Sequence, residues 1–414
     1  MQNSTSKPVE ACQICGHKNL DSILFIGYLP PVNTMPAIGS VPVEERAYPL
    51  ELLRCEKCTL VQIGLEVRAD VLFPPEYPYL SASTRILRDN FADLYKESNE
   101  LLKLKADDLI VDIGSNDGTL LGNFHKGGHR VLGVEPSQAG EIANKNGVKT
   151  KIAFFGKKIA AEVKKEMGAA TVITAANVFA HIGDVHAVVD GIVDLLKDDG
   201  VFISESHYLL GLIETVQYDT VYHEHLRYYS LMSLKHLLES HGLEIFRVKK
   251  IPTHGGSIRV YADRKGKRPI DNSVTKMLME EKEAGLTSGK VFERFRQRSI
   301  QSKLDLMKLL SQLKKEGAKI YGVGAPSRAS TLIKYIGLDD GILDCVVEIK
   351  GSHKIGKYMP GTRIPVVEES VLFQKQPEYA LFLSWHIANE LAENLKKNGY
   401  KGKFITPLPE PRIL

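Results

Sequence analysis

Asp108-Leu109-Ile110-Val111-Asp112-Ile113-Gly114-Ser115-Asn116-Asp117-Gly118-Thr119-Leu120 decides the fold. A short apolar run, a glycine turn and a helix start follow one another, as in a buried parallel strand feeding a helix. About twenty residues on, Val131-Leu132-Gly133-Val134-Glu135-Pro136 reads as a second strand that ends in an acid. A carboxylate at that position can bind the two hydroxyls of a ribose. The turn lacks the full G-x-G-x-x-G spacing of a dinucleotide fold, which argues against a nicotinamide cofactor.

The alternation continues downstream. Thr171-Val172-Ile173-Thr174-Ala175-Ala176-Asn177 is a strand that runs into Asn177-Val178-Phe179-Ala180-His181. Ile192 to Leu196 is a helix face, and Gly200-Val201-Phe202-Ile203-Ser204-Glu205 is another strand. Ligands in such sheets bind outside the carboxyl ends of the strands. Gly114, Asn116, Glu135, Asn177, His181 and Glu205 are therefore expected on one rim. A lone His181 could be a satisfied core histidine, but its place on that rim favours function.

The chemistry is expected at Tyr222-His223-Glu224-His225-Leu226-Arg227-Tyr228-Tyr229. It packs two imidazoles, one carboxylate and three phenols into eight residues, side chains that move protons near neutral pH when burial and neighbours tune them. The competing reading is a polar helix start or a partner-facing surface. Beyond it, a helix carrying Leu231, Leu234, Leu237 and Leu238 leads to His254-Gly255-Gly256-Ser257-Ile258-Arg259-Val260-Tyr261. That is a glycine turn entering a strand, where paired glycines permit close backbone approach; a tight hairpin explains it as well.

At the N-terminus, Cys12-Gln13-Ile14-Cys15 and Cys55-Glu56-Lys57-Cys58 are two C-x-x-C pairs. Four thiolates complete the tetrahedron that Zn²⁺ accepts and leave no position for water, so the zinc is expected to be structural. Gly16 and the Lys57-Cys58-Thr59 turn suit such knuckles. A redox dithiol pair is disfavoured because no thioredoxin-like strand and helix surround either motif. The proline-rich Phe73–Thr84 segment reads equally as an interdomain linker or as a lid, with its Ser/Thr cluster capping a helix before Ile86.

Arg264-Lys265-Gly266-Lys267-Arg268-Pro269 is a breaker-rich boundary, read as a solvated linker rather than a binding patch. A long amphipathic helix follows, with Val291, Phe295, Leu304, Met307 and Leu310 expected as its core stripe. The last module restarts the α/β pattern at Lys319-Ile320-Tyr321-Gly322-Val323-Gly324-Ala325-Pro326-Ser327-Arg328. A helix start there offers free N–H groups to an anion. The basic loop containing His353 and Lys354, and the strand ending at Trp385-His386, complete a rim read as suited to a diphosphate; a purely structural module is the open alternative.

A chain of 414 residues exceeds one ordinary core, so two or three domains are expected. The formal charge of +4 is small for that length and does not predict a nucleic-acid binder. No signal peptide and no bilayer-spanning apolar run are read, and five Cys, four of them paired as C-x-x-C, suit a reducing compartment. A soluble cytoplasmic protein is expected, with a monomer the default for three packed domains.

D-x-G-x-x-x-G from Asp112 to Gly118, with Glu135, resembles the nucleoside pocket of class I S-adenosylmethionine methyltransferases. The whole chain resembles the sugar 3-C-methyltransferases of deoxysugar biosynthesis, which act on nucleotide-linked 4-keto sugars. Its marks are the two C-x-x-C pairs, Tyr77-Pro78-Tyr79-Leu80-Ser81, Asn177-Val178-Phe179-Ala180-His181, Tyr222-His223-Glu224-His225, His254-Gly255-Gly256-Ser257 with Arg259, and Gly322-Val323-Gly324-Ala325-Pro326. After Gly-Ala-Pro the family usually has Ala-Lys-Gly, where this chain has Ser327-Arg328-Ala329.

The resemblance implies an α/β protein of three parts: a four-cysteine zinc module over 1–72, a Rossmann-like methyltransferase domain over 73–264, and a Rossmann-like nucleotide-sugar domain over 265–414. It implies S-adenosylmethionine at Asp112, Gly114, Asn116, Glu135, Asn177 and Tyr77, and structural zinc at the four cysteines. A nucleotide-diphosphate sugar, dTDP-linked before GDP-linked, would meet His254, Ser257, Arg259, Arg328, Lys354 and Trp385. His225 would be the base that removes the C3 proton, with Tyr222 and Glu224 positioning it or relaying the proton. His181 and Tyr79 would stabilise the enolate. Two alternatives compete: a methyltransferase on RNA or protein with the zinc module as reader, disfavoured by the small charge, and a non-catalytic sugar-nucleotide binder, disfavoured by the intact Tyr222-His223-Glu224-His225 set.

Overall fold

The computed structural model describes residues 4–73, 80–81 and 84–414. Tyr77 and Tyr79 lie outside the described residues.

Seven strands form the central sheet, in the order Leu243–Ile251, Ser257–Arg264, Leu196–His207, Ala170–Ala176, Leu109–Ile113, Arg130–Val134 and Thr150–Lys151. The expected strand at Leu109–Ile113 is buried at every position and pairs in parallel with both neighbours. Helices cover both faces, which is why such strands read as continuous apolar runs. Only Ser257–Arg264 runs antiparallel to its neighbours. It returns from Leu243–Ile251 through His254-Gly255-Gly256, where Gly255 has φ +86° and an added Cβ would lie 2.7 Å from Gln217 Oε1. The close approach expected of those glycines is therefore to Gln217.

The C-terminal module carries a six-stranded sheet ordered Val366–Glu368, Cys345–Glu348, Ile320–Val323, Tyr379–Phe382, Lys403–Thr406 and Arg412–Ile413. All neighbours are parallel except the last pair. Between the sheets, helix Asn272–Glu283 serves the central domain. Asp271 N–H donates to Phe246 O at 2.7 Å, and the buried Glu281 carboxylate accepts from Leu231 and Met232 N–H at 2.6 and 2.9 Å. Those are orphan donors at the start of helix Leu231–Glu239, where a carboxylate is favoured. Helix Lys290–Lys315 buries Val291, Phe295, Ser299, Ser302, Leu306, Leu310 and Leu313. Leu304, expected in that stripe, is 56% exposed. The true three- and four-residue spacing passes through the two serines and Leu306, and leaves 304 on the solvent side.

A four-stranded sheet joins the first module to the middle of the chain, in the order Arg227–Tyr228, Val61–Ile63, Tyr48–Cys55 and Leu20–Leu29. Its edge strand is the end of the Tyr222–Tyr229 stretch, with Arg227 opposite Gln62 and Tyr228 opposite Val61. Val61 follows the second cysteine knuckle by three residues. The metal module and the candidate catalytic segment are thus one piece of sheet. Among the described residues no helix is long and apolar enough to cross a membrane.

Candidate active site

The rim of the central sheet gathers the residues expected to hold the nucleoside. Gly114 has φ +65°, and a Cβ there would lie 2.6 Å from Val178 Cγ2. Asn116, at φ +49°, donates its backbone N–H to Glu135 Oε2 at 3.0 Å and accepts Ser81 N–H on Oδ1 at 2.9 Å. Glu135 Oε1 accepts from Ser137 N–H at 2.9 Å. A carboxylate has about four acceptor positions, so Glu135 retains capacity for both ribose hydroxyls. Asn177, at φ +59°, donates its N–H to Glu205 O at 2.8 Å. Asp112 accepts from Thr174 Oγ1 at 2.6 Å. Burial, helped by the nearby Glu135 and Glu205 charges, pushes its carboxyl up to about 7.

Three expected rim or substrate residues lie inside the protein instead. Glu205 and Arg259 are directly opposite in the antiparallel pair and both are fully buried. Arg259 Nε donates to Glu205 Oε1 at 2.7 Å, Nη1 to Asp93 and Glu97 at 3.0 and 2.7 Å, and Nη2 to Asn90. With all three nitrogens engaged, Arg259 locks helix Arg85–Leu102 to the sheet and has nothing left for a substrate. Ser257 donates Oγ to Thr253 O at 3.1 Å and is 1% exposed, so it closes the glycine turn.

The Tyr222–Tyr229 stretch divides its polar groups sharply. His225 Nδ1 lies 2.9 Å from Thr220 O, and Tyr222 OH lies 2.9 Å from His225 Nε2. A carbonyl only accepts, so Nδ1 carries the hydrogen and Nε2 presents its lone pair to the Tyr222 hydroxyl. The His181 ring packs edge-on against His225, with centroids 4.8 Å apart. Burial, then the His181 neighbour, holds His225 well below the usual imidazole range. Burial likewise lowers His181 to about 4, and its Nδ1 has no partner among the described residues. Both rings are therefore neutral near pH 7. The other two phenols are structural: Tyr228 OH donates to Thr220 O at 3.4 Å and Tyr229 OH to Phe179 O at 3.3 Å. His223 Nε2 lies 3.3 Å from Pro49 O, on the zinc-module sheet. Glu224, 2% exposed, accepts from Asn33 Nδ2 at 2.7 Å.

The C-terminal module closes the opposite side. Arg328 spans Asp219 with Nε and Nη2 at 2.7 and 2.8 Å, and stacks on Trp385 at 5.0 Å. Trp385 Nε1 donates to the same carboxylate at 2.7 Å. Both side chains are thus engaged as an interdomain clasp beside the candidate site. Lys354 donates to Ala325 O at 2.5 Å. Burial lowers its ammonium, while the Glu348 and Glu224 charges pull it back up. Among the described residues, His254, at φ +55°, has no partner for Nε2, nor has His207, and His386 has none for Nδ1. Burial and the Arg328 charge lower these three to about 4, 3 and 2. Sequence reasoning missed His207 as a candidate, because an isolated histidine carries no motif, and reached His386 only as the end of the strand that carries Trp385.

The four cysteine sulfurs converge. Cys12 and Cys58 Sγ are 3.4 Å apart, Cys15 and Cys55 Sγ 3.5 Å, and all four lie within 4.8 Å of one another. A tetrahedron with Zn–S arms of about 2.3 Å has edges of about 3.8 Å, so the set fits a closed structural zinc site. Gly16 at φ +69° and Thr59 at φ +61° make the knuckle turns.

Comparison with known proteins matches three successive stretches of the chain. Residues 12–73 match a zinc binding domain family, 85–248 a methyltransferase domain family, and 252–409 the C-methyltransferase C-terminal domain family. The chain is 33% identical to the C-methyltransferase NovU of Streptomyces niveus, over 99% of this chain and 97% of that protein. Among solved structures it is similar to magnesium protoporphyrin IX methyltransferase of Synechocystis PCC 6803 with bound S-adenosylmethionine, at 14% identity, over 43% of this chain and 79% of that one, with TM-score 0.33. A second is the PH0226 protein of Pyrococcus horikoshii, at 14% identity over 45% and 95%, with TM-score 0.35. The central domain is an S-adenosylmethionine-dependent methyltransferase core, the first module is its zinc-binding partner, and the chain belongs to the C-methyltransferase family.

Proposed function

We propose that the protein methylates carbon on a nucleotide-diphosphate-linked 4-keto-6-deoxy sugar, dTDP-linked before GDP-linked, by removing the C3 proton and alkylating the enolate. An unactivated C–H is too weak an acid; the adjacent C4 ketone makes C3 acidic enough for an imidazole-driven step. The observation that carries the reading is the Thr220 O···His225···Tyr222 chain, in which a neutral imidazole of fixed tautomer aims its lone pair at a partly exposed phenol. The C3 proton passes to the Tyr222 oxygen as the phenol proton passes to His225 Nε2, leaving an enolate on the sugar and an imidazolium on the enzyme. The buried Glu224 carboxylate is the group assigned to position His225 or relay its proton. His181, with Tyr79, stabilises the enolate oxygen, a task for preorganised donors. Bound at the Glu135 rim, S-adenosylmethionine supplies the electrophilic methyl group. His254, Arg328, Lys354 and Trp385 line the side where the nucleotide diphosphate would enter, and the imidazoles of His207 and His386 offer further polar contacts there.

The test is deuterium wash-in. With S-adenosylhomocysteine bound in deuterated water, the wild type should exchange the C3 hydrogen of dTDP-4-keto-6-deoxyglucose without methylating it. His225→Asn should abolish exchange, and Tyr222→Phe should slow it by about 10²-fold or more, the usual scale of general-base catalysis. Full exchange in His225→Asn would refute the assignment.

A further inference from the structure

The side-chain contact to the Glu224 carboxylate from the zinc-binding module comes from Asn33, in the Pro30-Pro31-Val32-Asn33 loop that follows strand Leu20–Leu29. Asn33 Nδ2 lies 2.7 Å from Glu224 Oε1 and 3.4 Å from Leu72 O. Both oxygens are acceptors, so the amide is oriented with its nitrogen towards them. The backbone of the stretch does not need this contact. Ile63 N–H donates to Leu226 O at 3.1 Å, and Arg227–Tyr228 pairs with Val61–Ile63. What Asn33 adds is a side-chain donor on one oxygen of the buried carboxylate. Among the described residues, the Lys354 charge also acts on Glu224, and His181 bonds to the Glu224 backbone.

We propose that Asn33 is a positioning residue for methyl transfer, fixing the buried Glu224 carboxylate in the orientation its role requires, so that the zinc-binding module contributes directly to the reaction. This rests on the role given to Glu224 above. A hydrogen bond to an ionised group is about twice as strong as a neutral one, so its loss should be visible in kcat rather than in folding.

The experiment measures kcat for deuterium wash-in on dTDP-4-keto-6-deoxyglucose, with thermal stability, zinc content and S-adenosylmethionine affinity as controls. Asn33→Ala should lower kcat by about tenfold or more, the scale of a hydrogen bond to a charged group. Asn33→Asp keeps the shape, loses the donor and adds a like charge, so it should fall further, with its acid limb displaced to higher pH. In a Glu224→Gln background, Asn33→Ala should cost little more, because the two act as one unit. Wild-type kcat in Asn33→Asp beside an inactive Glu224→Gln would overturn the proposal while sparing the Glu224 role. Wild-type kcat in Glu224→Gln would instead remove that role, and this proposal with it. Additive losses in the double variant would also overturn it, whatever the stability of the single variants.

Discussion

Arg328 separates a structural clasp from a substrate contact, and Arg328→Ala tells them apart. Asp219 has no exposed surface and accepts three short hydrogen bonds, two from Arg328 and one from Trp385. The Arg328 side chain is itself 8% exposed, so water screens the pair little. Truncation leaves a buried carboxylate with Trp385 as its main donor, and stranding one member of such a pair costs about 3–5 kcal/mol. Trp385 is the chain's single tryptophan, so its fluorescence during urea unfolding reports on the clasp itself. The unfolding midpoint should fall by that amount of stability. Because Asp219 adjoins Thr220, whose carbonyl fixes the His225 tautomer, kcat should fall as well. Arg328→Lys keeps the charge but not the two-pronged geometry and should lie between. An unchanged midpoint with only a raised KM for the sugar nucleotide would refute the clasp and return Arg328 to the substrate.

Acid should destabilise the fold through its buried imidazoles. His181, near 4 when folded and about 6.5 when unfolded, contributes stability that is complete above pH 6.5 and is lost as pH falls towards 4. By pH 5 that loss is about 2 kcal/mol for this group, so Tm should drop between pH 7 and 5, and a flat profile would contradict the assignment. Removing zinc, by chelation or Cys58→Ser, should lower amide-exchange protection at Arg227 and Tyr228 together with activity; unaltered protection would show that the knuckle does not hold that strand. Glu135→Gln should weaken S-adenosylmethionine binding by about tenfold, the scale of hydrogen bonds to a charged group, while leaving kcat at saturation nearly intact, as titration calorimetry and steady-state kinetics would show.

Local signals carried most of the architecture. The Leu109–Ile113 run, the strand-end Glu135 and the cysteine spacing each encode their structure within a few residues, through periodicity, a turn or ligand geometry. Long-range partners were not legible. Arg259 looks like a free cation after a glycine turn, and only the sheet register reveals Glu205 opposite it, with Asp93 and Glu97 arriving from a distant helix. Leu304 was misplaced because an apolar residue was preferred where serines carry the buried face. Asn33 gave no signal at all: a single amide in a proline-rich loop meets its partner 191 residues away. The pairing of Arg227–Tyr228 with Val61–Ile63 is equally non-local, yet it is what joins the zinc module to the candidate catalytic stretch.

The central claim is carbon methylation of a 4-keto sugar nucleotide, and one incubation tests it. Zinc-loaded protein, S-adenosylmethionine and a panel of dTDP- and GDP-linked 4-keto-6-deoxy sugars would be followed by mass spectrometry, with NMR locating any new methyl group. The account predicts a gain of one methyl group on carbon beside the ketone, at C3, in a dTDP-linked member first. Cofactor binding with no methyl gain on any member, or a methyl group on oxygen or nitrogen, would contradict it.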